Sequence, residues 1–175
     1  MLAGRFARVV SWDVAGLAAV QSVAGAPLVH AARGFSRFGE HAAGWVGIVA
    51  LGAVLDAQRR PAWLRAGVAV LAAHTAASVV KRGVRRRRPQ HPSVTVHVRT
   101  PSALSFPSSH ASSSTAAAVV LGRLLGVPLV PVIVPSMGVS RLVLGVHYPT
   151  DVLAGAALGA AVAAALRAYE RGVAR

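Results

Sequence analysis

Three short segments bring cations, hydroxyls and imidazoles to the edges of apolar stretches. They are Lys81 to Pro89, Pro107-Ser108-Ser109-His110, and Ser140-Arg141 followed by His147 and Asp151. Cations and hydroxyl donors gather the oxygens of a phosphate-like anion, and an imidazole can attack it or pass it a proton. In the first segment, Pro89 disfavours helical geometry at Arg88. Arg88 thereby becomes a fixed fork for two anion oxygens, while Lys81 adds a point charge. Arg82, Arg85, Arg86 and Arg87 read as lipid-facing or solvated charge. A juxtamembrane basic run also has a plainer use, which is to bind lipid headgroups and set topology.

The second segment opens a helix, where backbone N–H groups point outward and favour anions. Ser108 can add a hydroxyl donor and Ser109 an amide. Simple capping of the helix is the competing use of these serines. His110 is titratable and placed to protonate a departing oxygen. In the third segment, Pro149 suits the first turn of a helix, leaving His147 on the connection and Asp151 inside that turn. Asp151 can then accept a hydrogen bond from one ring nitrogen of His147 and leave the other free to attack. Alternatively, Asp151 complements the helix dipole and His147 is a polar interface residue.

The elements that must position these groups are membrane helices. Of 175 residues, 54% are hydrophobic and only 14% charged, against about 25% in a soluble domain. The mean hydropathy is +0.55. A lipid span needs about 20 mostly apolar residues. Six candidates follow, at about 9–32, 42–57, 63–80, 111–127, 128–146 and 149–168, giving an all-α, polytopic membrane helix bundle with six transmembrane helices in one domain, 1–175. Arg5 and Arg8, an apolar stretch and Ala24-Gly25-Ala26 resemble a signal peptide, but Asp13 within it and Pro27 after it favour retention as a first helix. Gly155 and Gly159 form a GxxxG stripe suited to close backbone contact, within the bundle or in a homo-oligomer.

The net charge of +14 suggests nucleic acid. With this hydropathy, arginines at helix ends anchoring the chain against anionic lipid explain it better, and no nucleic acid partner is expected. His74 reads as a satisfied helix residue, and His30, His41, His91 and His97 as interfacial or loop residues. Five acidic residues scattered along the chain offer no metal cluster. Counting cations on alternate loops places nine on the face of the termini. The motif face has seven once Lys81, Arg88 and Arg141 are set aside. By the positive-inside rule that puts the motif face outside the cytoplasm of a bacterial plasma membrane.

These residues resemble the signature of the type 2 phosphatidic acid phosphatase superfamily, which shares its site with vanadium haloperoxidases. Its pattern is lysine, six residues, Arg-Pro; then Pro-Ser-Gly-His; then Ser-Arg, five residues, His, three residues, Asp. Lys81, Arg88-Pro89, Ser140-Arg141, His147 and Asp151 match in full, and only Ser109 departs, standing where the family has glycine. The resemblance extends to helix order and covers essentially the whole chain. It implies hydrolysis of a phosphomonoester or diphosphate without metal or cofactor. His147 would form a phosphohistidine, Asp151 would orient it, and His110 would protonate the leaving alkoxide and then activate water. Lys81, Arg88, Ser108, Ser109 and Arg141 would hold the non-bridging oxygens. The substrate implied is a lipid phosphate, met among the lipids of the membrane. The stretches 80–92 and 101–118 look like a small actinobacterial subgroup acting on a polyprenyl-linked phosphoribose. Polyprenyl diphosphate and phosphatidate are the alternatives within the superfamily. A non-catalytic lipid-binding protein is the alternative outside enzymology.

Overall fold

The computed structural model describes residues 2–173. Seven α-helices form among these residues: α1 (Leu2–Ser22), α2 (Ala26–Gly39), α3 (Ala43–Leu55), α4 (Arg60–Val84), α5 (Ser109–Leu125), α6 (Val130–Val143) and α7 (Pro149–Val173). No strand appears among the described residues, and the only sheet-like pairing is an isolated bridge between Arg87 and Leu104. Segments 26–55, 57–84 and 149–173 are long and apolar enough to cross a membrane, and α6 is a shorter apolar helix. Leu51, Val54, Leu64, Val68, Leu71 and Leu153 point outward. Such an apolar coat suits hydrocarbon as the surrounding solvent, where only self-satisfied backbones such as helices survive.

Five of the six expected spans coincide with single helices. The first, about 9–32, does not, and is corrected to two helices separated at Val23–Gly25. Gly25 caps α2 in extended geometry and Pro27 occupies its first turn, where a missing N–H costs nothing. The side chains of α1 show why the chain turns. Asp13 accepts from the Thr150 N–H at 3.0 Å, and Gln21 donates to the Val143 carbonyl at 3.0 Å. These α1 residues stand about 12 Å apart along the helix. Both nevertheless meet the junction between α6 and α7, so α1 runs along the face where that junction lies. The polar residues that interrupted the predicted span are its docking points.

α5 is the central helix. It packs on α4, α6 and α7, and Ala111 through Ala118 are all buried. Small residues permit this, and the hydroxyls among them are satisfied locally. The Ser112 hydroxyl donates to the Ala73 carbonyl at 3.0 Å, and Trp45 Nε1 donates to the Ser114 hydroxyl at 2.9 Å. The GxxxG stripe faces this helix. A Cβ on Gly155 would stand 2.4 Å from the Ser108 carbonyl oxygen, and one on Gly159 would stand 2.1 Å from that of Ser112. The motif therefore fixes the α5–α7 distance inside the bundle. That contact seats the first turn of α7 beside the first turn of α5.

Gly159→Ala should force the two backbones apart and cost about 1–3 kcal/mol, as overpacking does. Gly34→Ala, in open space on α2, should leave stability unchanged or raise it by about 1 kcal/mol through helix propensity. Thermal unfolding in detergent checks the pair, and equal melting temperatures would contradict the packing described.

Candidate active site

The three motifs meet because α4 and α6 end on the face where α5 and α7 begin. α4 stops at Val84, with Arg85 at φ 56° in the left-handed region. The chain then doubles back on itself. The Arg88 N–H donates to the Ala103 carbonyl at 3.1 Å, and the Ser105 N–H to the Arg86 carbonyl at 2.8 Å. The turn after α6 needs Gly145, whose φ is +71° and whose missing Cβ leaves room for the Thr95 carbonyl oxygen. These two devices aim Arg88 and His147 into one cavity of about 260 Å³. Lys81, Arg88, Ser109, His110, Arg141 and His147 line it. Ser108 and Asp151 stand behind it, both fully buried.

Each wall is held by named bonds. Lys81 Nζ donates to the Leu104 carbonyl at 3.2 Å. Arg88 Nε donates to the Ser102 carbonyl and its Nη1 to that of Val146, each at 2.7 Å. The same Nη1 lies 3.2 Å from His147 Nε2. A guanidinium has no acceptor, so Nε2 accepts from Arg88 and the ring proton sits on Nδ1. Asp151 Oδ2 is 3.6 Å from that Nδ1, too long for the hydrogen bond expected from sequence, and Nδ1 is buried without a hydrogen-bond partner. Arg141 Nη1 donates to the Ser36 hydroxyl, while its buried Nε has no protein partner. His110 Nε2 meets the Ser36 carbonyl at 3.1 Å, an acceptor that holds the proton on that nitrogen.

Ser108 is the N-cap of α5. Its hydroxyl accepts from the Ala111 N–H at 3.3 Å, and its own N–H donates to the Asp151 backbone carbonyl at 2.9 Å. Ser109, one residue on, is the serine that lines the cavity.

The electrostatics follow from burial among cations. Burial first, then Arg141, Arg88 and Lys81, push the His147 imidazole well below its ordinary range. A neutral ring is the nucleophilic form, and Nε2 can attack once a bound phosphate takes over its Arg88 donor. Burial also lowers the Arg88 guanidinium, to about 10, which leaves it charged at neutral pH. Among the described residues, no group of three or more histidines and carboxylates is placed to hold a metal.

Several site residues escape sequence reasoning. Arg86, expected to be lipid-facing or solvated, is instead mostly buried. Its Nη1 donates to Asp151 Oδ1 at 2.9 Å and its Nη2 to Asp13 Oδ2 at 2.6 Å, and it stacks 4.0 Å over the Tyr148 ring. Asp13, in turn, receives the Thr150 hydroxyl and N–H. The readable signal was Asp13 itself, since a carboxylate inside an apolar stretch demands a cation or several donors. His41 and His74 line the same cavity, and His74 Nδ1 is buried without a hydrogen-bond partner, so His74 is not the satisfied helix residue expected. Ser36, Glu40, Arg99, Thr100 and Ser102 complete the rim without any motif to announce them.

The PAP2 superfamily pattern matches residues 62–173. The chain belongs to the PAP2 superfamily. It is 53% identical over 154 residues to the decaprenylphosphoryl-5-phosphoribose phosphatase of Mycobacterium tuberculosis H37Rv, covering 87% of each chain. Against the protein of the same name from Mycolicibacterium smegmatis it is 55% identical over 141 residues, covering 79% of this chain and 78% of that one. Among solved structures, a transmembrane PAP2-type phosphatidylglycerolphosphate phosphatase from Bacillus subtilis superposes with a TM-score of 0.78 at 22% identity, over 95% of this chain and 88% of that one. Aquifex aeolicus LpxE gives 0.71 at 18% identity, over 90% and 96%. At those identities the structural likeness establishes the fold, a polytopic helical bundle embedded in membrane.

Two outcomes test this geometry. Arg86→Ala, which releases Asp151, should lower turnover roughly 100-fold, the scale of a misplaced reacting group. Arg86→Lys should recover part of it, and phosphate release at wild-type rate from Arg86→Ala would contradict the assignment. In histidine-labelled protein, ring NMR should show His147 still neutral at pH 6.5, the ordinary midpoint, and a half-protonated ring there would contradict it.

Proposed function

We propose that this chain removes the terminal phosphate of a polyprenyl-linked phosphoribose, its relatives' decaprenylphosphoryl-5-phosphoribose being the model substrate. The chain is an integral membrane phosphatase of the PAP2 superfamily. The relatives' shared name and their similarity over most of the chain support the choice of substrate. The observation that carries the chemistry is His147 Nε2 at the cavity wall, 3.2 Å from Arg88, with Asp151 3.6 Å from the other ring nitrogen.

In this reading, His147 Nε2 attacks phosphorus in line with the ester oxygen. The P–O bond to the sugar breaks, His110, entering the step as imidazolium with Nε2–H still held by the Ser36 carbonyl, gives its Nδ1 proton to the leaving alkoxide, and a phosphohistidine forms. His110, now neutral, takes a proton from water, whose oxygen displaces His147 and releases inorganic phosphate. Lys81, Arg88 and Arg141 gather the non-bridging oxygens, with Ser109 contributing at the cavity wall. The unpartnered Arg141 Nε suits such an oxygen. Ser108 supports from behind by fixing the start of α5 to Asp151. Asp151 stabilises the imidazolium that develops on His147.

We further read 1–175 as one membrane-embedded domain of a bacterial plasma membrane. The cation count that favoured an extracytoplasmic site assumed that the N-terminal helix crosses the bilayer. Because α1 runs along the motif face, that count assigns no side. The Gly155 and Gly159 stripe is occupied by α5, so it lends no support to a homo-oligomer.

The test is phosphate release in detergent with chelator present, comparing polyprenyl-phosphoryl-5-phosphoribose, polyprenyl diphosphate and phosphatidate. The phosphoribose lipid should give the highest kcat/KM, and a clear preference for either other substrate would overturn the assignment. Arg141→Gln should lower the rate by on the order of 10²–10³, as loss of a charge-stabilising donor does. His147→Ala should bring it to background, and turnover surviving that change would contradict the phosphohistidine route.

A further inference from the structure

A second cavity, of about 390 Å³, adjoins the catalytic one. Arg33, Ser36, Arg37 and Glu40 of α2 and the following turn form one wall, at helical spacings of three, four and seven. His97, Val98 and Arg99 form the other. Ser36, Glu40 and Arg99 line both cavities, so the two share a wall. The loop wall is fixed in place: the His97 N–H donates to the Leu144 carbonyl at 3.0 Å, and Thr95 is tied to Gln21 through bonds of 2.7 and 3.0 Å. Among the described residues, the guanidiniums of Arg33, Arg37 and Arg99 have neither a carboxylate partner nor a hydrogen bond. Three unpaired guanidiniums around one hollow make an anion site beyond the one that performs the chemistry.

We propose that this second cavity binds the phosphodiester that joins the sugar to the polyprenyl chain. The inference rests on the phosphoribose reading above and deepens it. A substrate with a monoester at one end of a pentose and a diester at the other presents two anions separated by a ring of hydroxyls. The two cavities present the complement: cations around His147, cations around Arg37, and the Glu40 carboxylate on the wall they share. A carboxylate there would repel either phosphate at close range. It is well suited to accept hydrogen bonds from the pentose hydroxyls that lie between them. Fixing the diester also holds the monoester against His147, so remote binding contributes to the rate of the chemical step. The ligand class is a phosphodiester monoanion, which bulk anionic phospholipid also carries.

The experiment compares two substrates in neutral detergent. One is farnesyl-phosphoryl-5-phosphoribose. The other is farnesyl 5-phosphoribofuranoside, with the same lipid and sugar joined by an uncharged glycosidic bond. Wild-type protein should favour the diester in kcat/KM by roughly tenfold or more, the scale of a charge-assisted hydrogen bond at a partly exposed site. Arg33→Gln/Arg37→Gln should bring that ratio close to one. Added salt should lower the diester rate more steeply than the glycoside rate, a wild-type measurement that decides the matter even if the variant fails to fold. A wild-type ratio near one, or equal salt dependence, would overturn the proposal. So would a variant with wild-type melting temperature in which both substrates fall together, or a loss that tracks anionic phospholipid in the micelle, since those outcomes assign the arginines to bulk lipid. Hydrolysis of polyprenyl diphosphate with neither phosphoribose cleaved would instead sink the underlying substrate reading.

Discussion

The Asp151 carboxylate is fully buried, and the arrangement around it determines much of the rest. A charge taken out of water this completely is tolerated only when every lone pair has a donor or a cation. Oδ1 takes the Arg86 guanidinium, Oδ2 takes the Tyr148 N–H at 2.9 Å, and Oδ2 also faces His147 Nδ1. Its backbone carbonyl takes the Ser108 N–H. One residue thus ties the loop after α4, the start of α5 and the connection into α7. Through Arg86 and Asp13 it reaches α1 as well. Truncating any partner would leave a charge stranded, which is why the cluster acts as a unit.

The candidate active-site cavity inherits its character from that cluster. Lys81, Arg88 and Arg141 come from three different parts of the chain and would repel one another in a low-dielectric setting. Backbone carbonyls of Leu104, Ser102 and Val146 and the Ser36 hydroxyl hold them. Those acceptors fix direction without cancelling charge, so the cavity stays positive and an oxyanion completes it. Burial first, and then the same positive field, hold the His147 imidazole below its ordinary range, which couples the cations to the proposed nucleophile. Close packing of small residues along α5 and α7 makes the geometry rigid, since glycines at 155 and 159 remove the side chains that would separate the helices.

How much of this was legible in sequence depends on the type of information each residue carries. The motif residues were readable because their chemistry is specific: His147 four residues before Asp151 across Pro149, and Arg88 before Pro89, have few other uses together. Helices α3 to α7 were readable from apolar length. The break at Val23–Gly25 was not, because hydropathy runs on through it and only the bonds of Asp13 and Gln21 dictate the change of direction. Arg86 was hidden among four neighbours of the same type, since sequence gives no sign of which arginine in a run turns inward. Both Ser108 and Ser109 were expected either to hold phosphate oxygens or to cap the helix, and sequence did not divide those uses between them. Which of two adjacent serines caps a helix and which lines the cavity depends on where the first helical residue falls. The rim formed by Ser36, Glu40 and Arg99 depends on tertiary contact between α2 and a loop some 60 residues away, and no local pattern encodes it.

The central claim is that cations, serine donors and two imidazoles enclose one phosphorus-sized centre. Vanadate, which adopts the five-coordinate geometry of phosphoryl transfer, tests it directly in an experimental structure of the protein in lipid. The account requires vanadium bonded to His147 Nε2, equatorial oxygens on Lys81, Arg88 and Arg141, and the His110 ring on the opposite, apical side. Vanadate bound elsewhere, or seated with the 110 and 147 rings too far apart to flank it, would contradict the account.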